Sequence, residues 1–146
     1  MSILKKASNE NGGTLVEFAI VVPLLLILIF GIIDFGIILY DKAVITNASR
    51  EGARYGILAR DPELGRHTQT EIEQLLIDQG YWDRLVTFEG EANPIVTATP
   101  NPDTNFGSDL VVQVAWSYTF LAFNVLPGIG FDNTIDLSAR TVMKYE

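Results

Sequence analysis

Along this chain the hydrophobic positions are gathered in one block. From Phe18 to Tyr40 it reads FAIVVPLLLILIFGIIDFGIILY, with Asp34 as the lone charge. A helix of that length spans about 34 Å and matches a hydrocarbon core of roughly 30 Å. A core helix of a soluble protein carries a polar stripe, and this run has none, so it predicts a membrane span over 18–40. Pro23 predicts a local kink of the kind membrane helices tolerate. The helical pattern continues past Tyr40, because no proline occurs between Asp41 and Arg60. Ala48, Gly52 and Gly56 recur every fourth residue and form a smooth face that lets another element approach closely. Glycine in a helix interior costs about 1 kcal/mol, so close packing is the expected compensation. Arg50 and Glu51 fall on the flanking faces, and Arg54 is expected to pair with an acid at a sheet edge. Asp61-Pro62 predicts the helix end.

Beyond residue 60 the pattern changes to short elements. Residues 63–70 read as a polar loop, and Glu71–Gln79 as a short helix with Ile72, Leu75 and Leu76 on one face, stopped by Gly80. Leu85–Glu89 and Ile95–Thr99 read as short strands, and Pro100–Asp109 as a turn-rich loop. Leu110 to Phe120 alternates clearly: Leu110, Val112, Val114, Trp116, Tyr118 and Phe120 share one face. Residues 134–145 repeat the device, with Ile135, Leu137, Ala139 and Met143 inward. Alternation predicts an antiparallel sheet with one covered face, and the second half of the long helix is the obvious cover. Between these strands Leu121–Phe131 is loop-like yet apolar. The predicted class is therefore α+β: a long N-terminal transmembrane helix continuing into a small head with an antiparallel sheet.

Composition narrows the function. The formal net charge is −8, which disfavours nucleic acid as a partner. With no cysteine, disulfides, thiolate metal sites and thiol nucleophiles are excluded. His67 has no second histidine to complete a metal site, and no nucleophile motif surrounds any serine. Asn101, Asp103, Asn105 and Asp109 suggest a calcium loop, but Gly107 is one place late and Val112 stands where the bidentate Glu belongs. Turn chemistry is the better account of that segment. Asn47-Ala48-Ser49 matches a glycosylation sequon but lies in the predicted helix. The reading is of a protein with no catalytic residues, no metal and no cofactor.

Lys5 and Lys6 precede the span, whereas Lys42, Arg50 and Arg54 follow it, so charge bias alone does not orient it. A short arm kept inside and more than a hundred residues sent across is the simpler topology. A cleaved signal peptide fits poorly, because its apolar region is about 7–15 residues and ends at a small-x-small site.

Residues 11–18 read NGGTLVEF: a lysine-containing polar leader ends in glycine, and Glu17 then sits at the edge of the apolar helix. Residues 45–55, ITNASREGARY, follow the span. Together these resemble the TadE-like family, pseudopilins or minor pilins of the Flp-type tight-adherence system. The resemblance is dense over residues 12–59 and loose in the C-terminal region. It implies cleavage of a leader, residues 1–12, between Gly12 and Gly13 by a prepilin peptidase, which places Glu17 fifth and Phe18 sixth in the mature chain. It implies a long helix over 13–60 and an extracytoplasmic head over 61–146. It also implies residence in a bacterial inner membrane, N-terminus cytoplasmic, and partners that are other pilin or pseudopilin subunits in a homo- or hetero-oligomer. In such assemblies Glu17 pairs with the new N-terminal amine of an adjacent subunit, and Asp34 contacts a neighbour or the head. The competing expectation is a permanently anchored scaffold or sensor subunit, neither processed nor polymerised.

Overall fold

A computed structural model describes residues 10–58, 65–88, 92–100, 107–121 and 133–145. Its longest element is a single helix, α1, Glu10–Gly56, which at about 1.5 Å per residue is about 70 Å long. Pro23 lies inside it without ending it. The helix has two regimes. From Gly13 to Ile33 its side chains are exposed, apart from partial cover at Val22 and Phe30. From Asp34 onward a buried seam appears at Asp34, Asp41, Val44, Ile45, Ala48, Ser49, Gly52, Ala53 and Gly56. Those positions recur every three or four residues, the stripe of a helix packed on one side.

The head supplies the other side. Strands β1 (Ile95–Pro100), β2 (Asp109–Thr119) and β3 (Thr134–Lys144) form an antiparallel sheet in the order β1-β2-β3. Val96 pairs with Val114, Val112 with Thr141, and Tyr118 with Ile135. The alternation of β2 holds: Leu110, Val112, Val114, Trp116 and Tyr118 are all buried toward the helix. Its chain runs opposite to α1, so Leu110 lies beside Gly56 and Tyr118 beside Asp34. Helix α2, Gln69–Asp78, closes the far end of the core by burying Ile72 and Leu76. It is capped by Thr68 and Glu71, each side chain bonding the other's backbone N–H. Gly80, at φ +68°, turns the chain away from it.

The architecture is the α+β arrangement expected: one long apolar helix and a small head with an antiparallel sheet. Local expectations differ in four places. Helix α1 ends at Gly56, short of residue 60, where Leu58 N–H turns back to Tyr55 O in a tighter final turn. Helix α2 starts at Gln69, because the Thr68 cap lies upstream of Glu71. The predicted strand at 85–89 does not form over 85–88. A 3-10 turn, Trp82–Arg84, comes first, and the Val86 N–H that a ladder would need goes to Asp41 Oδ1. Ile135 shares its face with Leu137 and Ala139 but is 38 % exposed at the start of the edge strand β3. Asp61-Pro62, the 101–106 turn and the apolar segment 122–131 lie outside the described residues.

Candidate functional site

Two features of α1 stand out: a bare apolar half with one charge near its start, and a second half clasped by the head. In the bare half Gly12 and Gly13 are helical, and a Cβ at Gly13 meets nothing within 4 Å. Adjacent glycines weaken the helix here, at about 1 kcal/mol each. One turn on, Glu17 and Phe18 are both exposed, and Phe18 is 67 % exposed. Between Gly12 and Ile33 Glu17 is the only ionisable side chain.

The clasp begins at Asp34. This carboxylate is 2 % exposed and accepts from Tyr118 Oη at 2.7 Å and from Leu121 N–H at 3.0 Å. A buried carboxylate is tolerated only with such partners. Burial, then the bond to Asp34, holds the Tyr118 phenol well above the ordinary tyrosine range, so it stays a donor. Phe88 and Phe120 stand edge-on to the Tyr118 ring at centroid distances of 6.5 and 5.8 Å.

Two turns along the seam, Asp41 is fully buried. Its Oδ1 accepts from Val86 N–H at 3.0 Å. Its Oδ2 has no hydrogen-bond partner among the described residues, and neither has the buried Trp116 Nε1. Desolvation raises the Asp41 pKa, against the opposing pull of the Val86 N–H and the nearby Trp116 indole. The next residue, Lys42, donates from its ammonium to Ser138 O on β3.

Farther along, Ser49 Oγ bridges Val112 O at 2.9 Å and Thr141 Oγ1 at 2.8 Å, tying α1 to the central and edge strands together. Ala48 is fully buried, and the two glycines set the closest approach. A Cβ at Gly52 would lie 3.0 Å from Ile72 Cγ2 and 3.3 Å from Val112 Cγ1. At Gly56 it would lie 2.4 Å from Leu110 Cδ2 and 3.0 Å from Ile72 Cδ1.

Arg50, Glu51 and Arg54 do not enter this interface. Arg54 forms a two-pronged ion pair with Glu51 on its own helix, with contacts of 2.8 and 3.1 Å, in place of a partner on the sheet. That bond lowers the Glu51 pKa and raises that of Arg54. With Arg50, Tyr81 and Arg84 they rim a shallow groove beside the clasp. A helix-internal pair forms readily because both side chains project from the same exposed face at three-residue spacing.

Three contributors escape sequence reasoning: Asp41, Ser49 and the partner hydroxyl of Tyr118. The signal that finds them is their place on the seam. Asp34, Asp41, Ala48 and Ser49 recur at seven- or eight-residue steps, so a polar residue there must be buried and bonded. Elsewhere, His67 stacks on the Tyr55 ring at 4.1 Å and lies 3.7 Å from Glu71 Oε2. Among the described residues no three His, Asp or Glu side chains are grouped to hold a metal ion.

The model of the family described as TadE-like protein matches residues 12–54, which is α1 from the paired glycines to the ion-paired Arg54. This is the family whose motifs the sequence resembles. No curated protein and no solved structure matches the chain.

Proposed function

We propose that this chain is a pilin-like structural subunit, a minor pilin or pseudopilin of a Flp-type tight-adherence pilus or a related secretion machine, and not an enzyme. The observation that carries this reading is the bare half of α1. A head fixed to one half of a helix leaves the other half, from Gly12 to Ile33, with no buried position among the described residues and one carboxylate at its start. A bilayer covers it first, as a single span in the inner membrane with the N-terminus cytoplasmic and the head outside. Neighbouring apolar helices cover it next.

In this mechanism the prepilin peptidase cuts between Gly12 and Gly13, where the paired glycines weaken the helix. The new amine at Gly13 is then available to Glu17 of an adjacent subunit. A carboxylate at the lipid edge is costly unless paired, so Glu17 acts as a register key that favours only correctly staggered neighbours. Asp34 has a different role: it meets the head of its own chain. The small residues Ala48, Gly52 and Gly56, with Ser49 and Asp41, make stalk and head one rigid unit, so that force and orientation pass between them.

Glu17→Ala is the test. The variant inserts into the membrane as before but is absent from filaments; normal filaments from it refute the register role. The competing reading is a permanently anchored scaffold or sensor subunit, neither processed nor polymerised. In that case Glu17→Ala has no phenotype and the leader persists.

A further inference from the structure

The apolar run and the head overlap. The run extends to Tyr40, yet the head already grips α1 at Asp34. Residues 34–40 therefore face the head with one side and something else with the other. The seam side carries Asp34, Ile37 and Ile38. The opposite side carries Phe35, Leu39 and Tyr40, which are 62, 55 and 48 % exposed.

The head adds to this level from its own side. Tyr118 pairs across the sheet with Ile135, and Phe88 stands against the Tyr118 ring, so both lie at the height of Asp34. Both are exposed, Phe88 at 45 %. Asp34, the charge that α1 carries at this height, is buried under Tyr118. On the sheet an exposed carboxylate, Asp136, adjoins Ile135 and accepts from Ser117 Oγ at 2.6 Å, and above the rim Lys42 bonds Ser138 O. A rim of exposed aromatic and aliphatic side chains thus separates the bare helix from the polar body.

The geometry points to the interfacial layer of a lipid bilayer as the partner of this rim, so that the head is seated in the membrane surface and does not stand clear on its stalk. This rests on α1 spanning a bilayer. The lengths agree. Counted from Phe18, just past the edge carboxylate Glu17, the helix rises about 24 Å to Ile33, so a hydrocarbon core of roughly 30 Å is completed only at the level of 34–40. The rim rises about 9 Å, close to the interfacial zone of about 5–8 Å on each side. Tyr40, an apolar ring with a polar tip, suits that zone, and Phe35, Leu39, Phe88 and Ile135 suit its acyl-chain side. Length selects lipid over a second copy of the chain, because the crossing that starts at Phe18 is completed only at the level of this rim.

The chain has no cysteine, so single-cysteine probes report one site each. Full-length Leu26→Cys, Phe35→Cys, Ile135→Cys and Lys144→Cys variants, carrying an environment-sensitive fluorophore, are reconstituted in phosphatidylethanolamine–phosphatidylglycerol vesicles. Nitroxide lipids labelled near the headgroup and deep in the acyl chain serve as quenchers, and circular dichroism checks the fold. The expected result is deep quenching at Leu26, shallow quenching with a blue-shifted emission at Phe35 and Ile135, and no quenching at Lys144. If Leu26 is quenched while Phe35 and Ile135 behave like Lys144, the head stands clear and the inference fails alone. If Leu26 is also unquenched, the span itself fails and takes the inference with it. Rim probes that escape nitroxide yet show energy transfer growing with protein-to-lipid ratio place a second copy there, which also overturns it.

Discussion

The hydroxyl of Tyr118, near the end of the central strand, donates 2.7 Å to Asp34, in the last third of the apolar run. This bond locks the head to the stalk at the point where the helix changes from bare to clasped. Its removal in Tyr118→Phe leaves a buried carboxylate with one donor fewer. Hydrogen bonds to charged groups are worth about 1.5–3 kcal/mol, so the variant is expected to lose roughly that stability in detergent denaturation. In a double-mutant cycle with Asp34→Asn the two losses should be clearly less than additive. Full additivity would show that the two side chains do not work as a pair.

Gly56→Ala tests the closest approach. The added methyl falls 2.4 Å from Leu110 Cδ2. That methyl ends a side chain, but Leu110 is 1 % exposed and Ile72 Cδ1 blocks the other direction. Overpacking typically costs 1–3 kcal/mol, against a gain of about 1 kcal/mol in helix propensity. A small net loss is expected for alanine and failure of head docking for Gly56→Leu. Gly36→Ala, whose Cβ meets nothing within 4 Å, is the control and should be neutral or stabilising.

Ser49→Ala removes the side chain that bridges Val112 O and Thr141 Oγ1. It leaves buried polar atoms without that partner, at about 1–3 kcal/mol. A lowered thermal midpoint with unchanged far-ultraviolet circular dichroism is expected.

The pH dependence has a definite sign. Asp41 has a folded pKa raised by burial. A raised folded pKa means the folded state holds the proton more tightly than the unfolded chain does. Its stabilising contribution is therefore full below the unfolded value and is lost as pH rises through the folded one. Asp41→Asn should flatten that part of the stability profile and remove the penalty above it. Tyr118, also raised, should ionise above the ordinary tyrosine range in an ultraviolet titration against Tyr118→Phe, with stability lost only as pH climbs through its elevated value. A profile for Asp41→Asn identical to the parent would show that Asp41 is not the group responsible.

Much of this was legible in the residues. Twenty-odd apolar positions with no polar stripe give the anchor, and the alternation from Leu110 to Tyr118 gives the sheet face. The small-residue row of Ala48, Gly52 and Gly56 marks where that face meets the helix. What periodicity does not reveal is pairing over long separations. That Asp34 belongs to its own head depends on Tyr118 arriving at its height, which is set by the antiparallel run of β2 along α1. Val86 reads as strand because its neighbours are β-formers, but a single N–H captured by Asp41 removes it from the ladder. Arg54 found Glu51 before any sheet residue because the local pair costs little ordering.

The central claim is that the bare half of α1 is an assembly helix released by cleavage of its leader. The most direct measurement is the N-terminal sequence of the protein recovered from its native membrane, supported by its intact mass. A terminus at Gly13 is the predicted result, with Glu17 then fifth in the chain. An intact terminus at Met1 or Ser2 would contradict the pilin account and leave an anchored head that never joins a filament.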